Sequence, residues 1–174
     1  MDKAALSRAL RELDKKMGRP LNLLVGGGGA LVLGHQMPLS TLDIDAIPFR
    51  SDWTVGQLDK KVKEVARKLD IPPDWLNPHF VTFSYVLPGD YDKRLISIYK
   101  GKHLNAFALG AEDLLILKCF AGRAKDVGHA RFLMKKCENI RFVEKHLEKM
   151  LEDRIPKAQD ALDFFDEIKS SLGK

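Results

Sequence analysis

Apolar side chains recur at helical spacing from the start of the chain, where Leu6, Leu10, Leu13 and Met17 follow at intervals of four, three and four. One stripe of that period predicts an amphipathic helix, which Asp2 is placed to cap and Gly18-Arg19-Pro20 to end. The pattern then changes. Leu21–Val25 is a short apolar run that suits a buried strand, four glycines follow at once, and Ala30 to Leu33 read as the start of a helix packed behind them. A second strand is predicted over 41–48, closed by Pro48. Leu58, Val62, Val65, Ala66 and Leu69 mark another amphipathic helix, which stops before Pro72-Pro73. Beyond a loop around Trp75-Leu76-Asn77-Pro78, three strands are predicted over 80–87, 94–99 and 103–109. Pro88-Gly89-Asp90 separates the first two, and Gly101-Lys102 suits a hairpin turn between the last two.

From Ala111 onward the spacing is helical throughout, with helices predicted over 112–121, from Asp126, over 142–151, and after Pro156 in a first-turn position. The order predicts an α/β (α+β) fold. A mixed sheet flanked by helices occupies 1–110, and a C-terminal helical part, 111–174, packs on that core.

Composition narrows the class. With 174 residues, 45% hydrophobic and 30% charged, the chain is long enough to bury a core without disulfide staples. Cys119 and Cys137 both fall on predicted helices and read as reduced thiols. No run of about 18 apolar residues exists to span a bilayer, and the first residues lack the continuous apolar stretch of a signal peptide. Both point to a cytoplasmic chain with no membrane partner. The net charge of +5 suits a nucleotide or RNA partner, and equally suits a mildly basic protein with neither. Lysines and arginines are spread along the chain rather than massed in a run. The five histidines show no Cys/His ligand spacing, which argues against zinc. Trp53 and Trp75 read first as packing anchors and only second as base-stacking platforms.

Chemistry concentrates in Leu42-Asp43-Ile44-Asp45-Ala46-Ile47. Alternation along a strand sends Asp43 and Asp45 to one face and Leu42, Ile44 and Ala46 to the other. Two carboxylates on one face repel unless compensated, and a divalent cation removes that cost, Mg²⁺ or Mn²⁺ being suited to such oxygen donors. Asp-X-Asp by itself is common as a solvated strand edge. The preceding Gly26-Gly27-Gly28-Gly29 adds a strand that ends in bare backbone and leads into a helix, an arrangement that brings N–H groups up to a phosphate. A tight turn without ligand needs only one or two glycines, so the run predicts room for another group. No Gly-Lys-Ser/Thr follows, and position 31 is Leu rather than the glycine of a dinucleotide fingerprint, so neither common phosphate loop applies.

Together, Val25-Gly26-Gly27-Gly28-Gly29-Ala30, Thr41 and Asp43-Ile44-Asp45 resemble the signature of the DNA polymerase β-type nucleotidyltransferase superfamily. With the later Leu114-Leu115-Ile116-Leu117-Lys118 and Ala121-Gly122-Arg123-Ala124-Lys125-Asp126, the chain looks like the minimal branch related to AbiE-type toxins. The Trp75-Leu76-Asn77 triplet is similar to a recurring feature of one uncharacterised branch. The resemblance covers roughly residues 21 to 135. It implies transfer of a nucleotidyl group from a nucleoside triphosphate to a hydroxyl on RNA (tRNA included), protein or a small molecule, with a cognate antitoxin protein as a further partner. Asp43 and Asp45 would be the catalytic and metal-holding residues for Mg²⁺ or Mn²⁺. Gly27, Gly28, Gly29, Thr41, Lys118 and Arg123 would contact the nucleotide, Lys118 and Arg123 from one predicted helix, with Asp126 in support. The chain departs from the superfamily at the third carboxylate. The strand expected to carry it holds Asn105, which cannot act as a base, leaving Glu112 or Asp113 as substitutes, and His129 stands where related toxins tend to carry an acid. A binding protein of the same fold without turnover is the alternative.

Overall fold

The computed structural model describes residues 1–173, the side chains of Val81 and Phe83 excepted. Contacts divide the chain into two compact units, Met1–Val81 with Leu95–Leu109, and Thr82–Arg94 with Gly110–Lys174.

The first unit is a mixed sheet with three helices. Helix α1 (Lys3–Asp14) starts where the Asp2 side chain accepts the Ala5 amide at 2.8 Å. The stripe Leu6, Leu10, Leu13 and Met17 is buried along its whole length. Strand β1 (Leu21–Val25) leads into α2 (Gly27–Leu33), followed by β2 (Ile44–Pro48), α3 (Val55–Leu69), β3 (Leu76–Asn77), β4 (Ile96–Lys100) and β5 (Leu104–Ala108). The strand order is β3-β2-β1-β5-β4. Pairing is parallel for β3/β2 and β1/β5 and antiparallel for β2/β1 and β5/β4. As the central strand, β1 is almost uniformly apolar, since both of its faces are covered. Helix α3 opens on a reciprocal capping box between Thr54 and Gln57.

Two strand boundaries differ from the sequence pattern. The segment predicted as a strand over 80–87 forms 3₁₀ turns, His79–Val86. Its aromatic and β-branched composition suggested a strand, but Pro78 directly after β3 has no N–H to extend the ladder, so the chain leaves the sheet there. The strand predicted over 41–48 begins only at Ile44, which leaves Leu42 outside it and 86% exposed rather than on the apolar face.

Asp14, at the end of α1, ties the β4–β5 turn. Its carboxylate accepts the amides of His103 and Leu104 at 2.8 Å and that of Lys102 at 3.0 Å. Burial alone would raise its pKa; these backbone N–H bonds outweigh that and hold it below the ordinary aspartate value. Its stabilisation is therefore complete above the unfolded pKa of about 3.9 and is lost as pH falls from there through the lower folded pKa. Asp14→Ala is expected to lower the unfolding free energy by about 1–2 kcal/mol at neutral pH, allowing for partial exposure. Urea denaturation measures it, and the difference from wild type should shrink on acidification.

The second unit comprises the 3₁₀ turn Tyr91–Arg94, α4 (Ala111–Ala121), α5 (Asp126–Lys136), α6 (Ile140–Glu152) and α7 (Ala158–Ser171). Helix α4 packs against α5, α6 and α7, which explains why Leu114, Leu115, Ile116, Leu117, Cys119 and Phe120 are all buried. Cys119 and Cys137 are both thiols, and burial pushes the Cys119 pKa up. Among the described residues no helix is long and apolar enough to cross a membrane.

Candidate functional site

The glycine corner and the carboxylates meet inside the first unit. The Gly26 amide donates to the Asp45 carbonyl at 2.8 Å, carrying the β1/β2 pairing one step beyond Val25 and Ala46. The chain then turns at Gly27, whose φ of +56° lies in the left-handed region that favours glycine. A Cβ on Gly27 would come 1.8 Å from Asp45 Oδ2. The carboxylate therefore lies directly on the bare face of that residue. One position on, a Cβ at Gly28 would meet Thr41 Oγ1 at 2.6 Å, and at Gly29 the Ile44 side chain at 3.2 Å. The Phe80 ring closes over Gly26.

This corrects one reading of the sequence. The glycine run does not leave an open space on its side-chain faces; Phe80, β2 and the approach to β2 fill them. What the glycines permit is the close seating of Asp45 and Thr41 against α2. The amides in the first turn of α2 have no intrahelical acceptor by geometry, and Gly26, as N-cap, has no side chain to satisfy them.

Asp43 precedes β2 by one residue and is partly buried, as is Asp45. A third residue joins them. Asn77 is the register partner of Asp45 in the parallel β2/β3 pair, and its Nδ2 donates to Asp43 Oδ2 at 2.7 Å. Its Oδ1 accepts the His79 amide at 3.0 Å, which fixes the amide with its donor toward Asp43. The preceding Trp75 is fully buried, its indole N–H donates to the Val62 carbonyl at 3.1 Å, and its own carbonyl accepts the Ile44 amide at 2.7 Å. Asn77 was legible only as part of a recurrent triplet, because its contact with Asp43 depends on a two-residue strand that no periodicity reveals. Asn77→Ala is expected to cost about 1–2 kcal/mol in urea denaturation, as a hydrogen bond to a charged group is lost.

Thr41 is held by backbone bonds to Met1 in both directions, and its hydroxyl donates to the Asp43 carbonyl at 3.2 Å. Thr41 is thus tied down by Met1, which leads into α1.

Asn105 lies two strands away from β2, opposite Asn22 in the β1/β5 register, and its amide donates to the Asn22 side chain at 3.2 Å. The substitutes for a third acid are engaged elsewhere. Glu112 accepts the amides of Glu138 and Asn139 at 2.9 and 3.1 Å, capping the start of α6. Asp113 is fully buried in a two-pronged pair with Arg94 at 2.8 and 3.0 Å. Among the described residues no group of three His, Cys, Asp or Glu side chains is arranged to hold a metal ion.

Lys118, Arg123 and Asp126 converge within the second unit. Lys118 Nζ donates to Asp126 Oδ1 at 2.8 Å, and Arg123 Nε to Oδ2 at 2.6 Å. Lys118 and Arg123 do not share a helix, as the sequence suggested, because α4 ends at Gly122 in the left-handed conformation. Burial would raise the Asp126 pKa; the contacts from His129, Arg123 and Lys118 reverse that and hold it far below the carboxylate range. At 3.5 Å the His129 contact is too long for a good hydrogen bond, so the weight rests on the two cations.

A family model described as "Nucleotidyltransferase of unknown function (DUF6036)" matches residues 4–164, nearly the whole chain. The chain belongs to this family. In this DUF6036 member the matched span includes the glycine corner, the two aspartates, Asn77 and the Lys118–Arg123–Asp126 cluster. Comparisons with curated proteins and with solved structures give no match to this DUF6036 chain.

Proposed function

We propose that the chain transfers a nucleotidyl group from a nucleoside triphosphate to an acceptor hydroxyl, with Mg²⁺ or Mn²⁺ held by Asp43 and Asp45. The observation that carries this reading is the seating of Asp45 on the bare face of Gly27 with Asp43 held beside it by Asn77. Two partly exposed carboxylates fit the metal, since Mg²⁺ is commonly held by one or two carboxylates with substrate phosphates and water completing its shell. Such a cation, when bound, supplies neutralisation of the triphosphate and of charge on the attacking and leaving oxygens.

The chain's own residues supply the rest. The amides of Gly27, Gly28 and Gly29 donate to phosphate oxygens, and Thr41 fixes the loop that carries Asp43. Asn77 holds one oxygen of Asp43 and leaves the other for a ligand. Its amide cannot accept the proton of an attacking hydroxyl, so that proton passes to an aspartate or to solvent. Arg123, with 54% of its side chain exposed, is accessible to a phosphate, whereas Lys118 is buried on Asp126 and serves to hold it. The resemblance of the motif order to AbiE-type toxins supports a toxin role with a cognate antitoxin, and growth arrest on induction, relieved by the neighbouring gene's product, is its expected sign.

The second reading is a nucleotide- or partner-binding protein without turnover. It is favoured by Asn77 beside the acids and by the absence, among the described residues, of a three-acid group. Incubation with labelled nucleoside triphosphates, Mg²⁺, bulk RNA and the protein itself separates the two. Transfer of label by wild type and its loss in the Asp43→Ala, Asp45→Ala double variant is the expected result. Nucleotide binding without transfer supports the second reading, and label that persists in the double variant removes the aspartates from the site.

A further inference from the structure

We propose that a groove between Trp53 and α3 binds single-stranded RNA, the acceptor class for the transfer proposed above. The groove encloses about 490 Å³ and is lined by Arg19, Trp53, Gln57, Lys60, Lys61 and Glu64. Only the naming of RNA as acceptor rests on that proposed transfer; binding in the groove stands by itself.

The charges here differ from those elsewhere on α1 and α3. On those helices Lys15 and Lys68 share Glu12, and Lys63 is paired with Asp59. In the groove, among the described residues, the Arg19 guanidinium bonds only neutral oxygens, Gln57 Oε1 at 3.0 Å and the Asp52 carbonyl at 3.3 Å, and stacks 4.7 Å from the Trp53 ring centroid. Lys60 is exposed and has no carboxylate partner among the described residues. Lys61 and Lys16 share the single Glu64, at 2.9 and 3.8 Å. Among the described residues that line the groove, three cations thus accompany one carboxylate, Glu64, with Lys16 3.8 Å from that carboxylate as a fourth.

Trp53 gives that positive surface an aromatic platform. Its indole N–H donates to the Pro20 carbonyl at 3.0 Å, which fixes the ring at the groove wall while it stays half-exposed. Cations that track phosphates beside an aromatic face on which bases stack are the recognition chemistry of single-stranded nucleic acid. Gln57 Oε1 is occupied by the Thr54 amide and Arg19, so its NH₂ is turned to donate to a base or a ribose 2′-hydroxyl. Placement also fits. The groove lies just past the C-terminal end of β2, the strand that carries Asp45 near its other end. At about 3.3 Å per residue, Asp45 and Pro48 are roughly 10 Å apart. A few nucleotides of extended RNA cover such a distance.

The test uses the tryptophans as reporters. The chain has two, and Trp75 is fully buried. Fluorescence quenching on titration with a short single-stranded RNA of mixed sequence, without nucleotide or metal, therefore reports Trp53. Saturable quenching that weakens with salt is expected. Arg19→Glu with Lys60→Glu should weaken binding by about tenfold or more and flatten the salt dependence. Lys63→Glu, which matches the charge change of Lys60→Glu alone on α3 but lies outside the groove, should leave binding within about twofold. Thermal melts confirm folding, and Lys60→Glu alone, at an exposed site, serves should the double variant not fold. The Asp43→Ala, Asp45→Ala variant should bind RNA as wild type does, so failure of the catalytic reading and failure of this one are separable. No quenching, equal loss in the Lys63 variant, or equal binding of single-stranded DNA or polyglutamate would each overturn the proposal.

Discussion

Asp126→Ala is expected to lower the unfolding free energy by about 3–5 kcal/mol, the largest stability effect of any single substitution considered for this chain. Asp126 is fully buried and Lys118 is 7% exposed, so removing the carboxylate strands an ammonium with no anion to pair it. The loss is mostly the cost of that uncompensated charge, not the worth of the pair. Lys118→Met introduced with Asp126→Ala should therefore restore much of the stability, because the orphaned charge goes with it. The pH dependence has a definite sign. The folded pKa of Asp126 is depressed, so its contribution is complete above the unfolded value of about 3.9 and declines as pH falls below it. Urea midpoints for wild type and Asp126→Asn, compared from neutral pH down through that value, should converge on acidification. A flat, small difference at every pH would show that the cluster is not what holds α4 against α5.

The second large effect is on activity. Gly27→Ala is expected to reduce nucleotidyl transfer by about 10²-fold or more, since displacing a reacting constellation by an ångström has that consequence. The new methyl group would overlap Asp45 Oδ2, and the residue must also hold φ at +56°. The backbone strain adds about 1–2 kcal/mol of destabilisation. Gly56→Ala is the matched control. A Cβ there meets nothing within 4 Å, and the position lies in the first turn of α3, so the substitution should be neutral or stabilising by up to about 1 kcal/mol. Transfer rates for the two variants, with melting temperatures alongside, measure the contrast. Equal rates in both would mean that the contact between Gly27 and Asp45 has no part in the chemistry.

Much of the fold could be read from periodicity. The α1 stripe, the mostly apolar β1, the α3 stripe and the buried α4 each carry a pattern that only one environment satisfies. The failures lie where pairing and turns, which periodicity does not describe, decide the outcome. Residues 80–87 have strand-like composition, but Pro78 removes the ladder they would need. β3, by contrast, has only two residues and no pattern of its own, yet it brings Asn77 to Asp43. The candidate site divides along the same line. Asp43 and Asp45 are legible because alternation and a glycine run are local signals. The use made of the glycines was misread: their bare faces receive Asp45, Thr41, Ile44 and Phe80 from within the fold. The resemblance assigned Lys118 a contact with the nucleotide. Its burial on Asp126, eight residues along, follows from the turn at Gly122, which periodicity does not describe. Arg19, Lys60 and Lys61, dispersed along the sequence, gather around Trp53 only once α3 has packed.

A crystal of the chain soaked with a nucleoside triphosphate and Mn²⁺ tests the central claim most directly, because the anomalous signal of manganese locates the cation without reference to activity. The expected density is a single manganese coordinated by both Asp43 and Asp45, with the triphosphate against the amides of Gly27, Gly28 and Gly29. Manganese bound away from both aspartates, or nucleotide bound with neither the aspartates nor the glycine corner in contact, would contradict it.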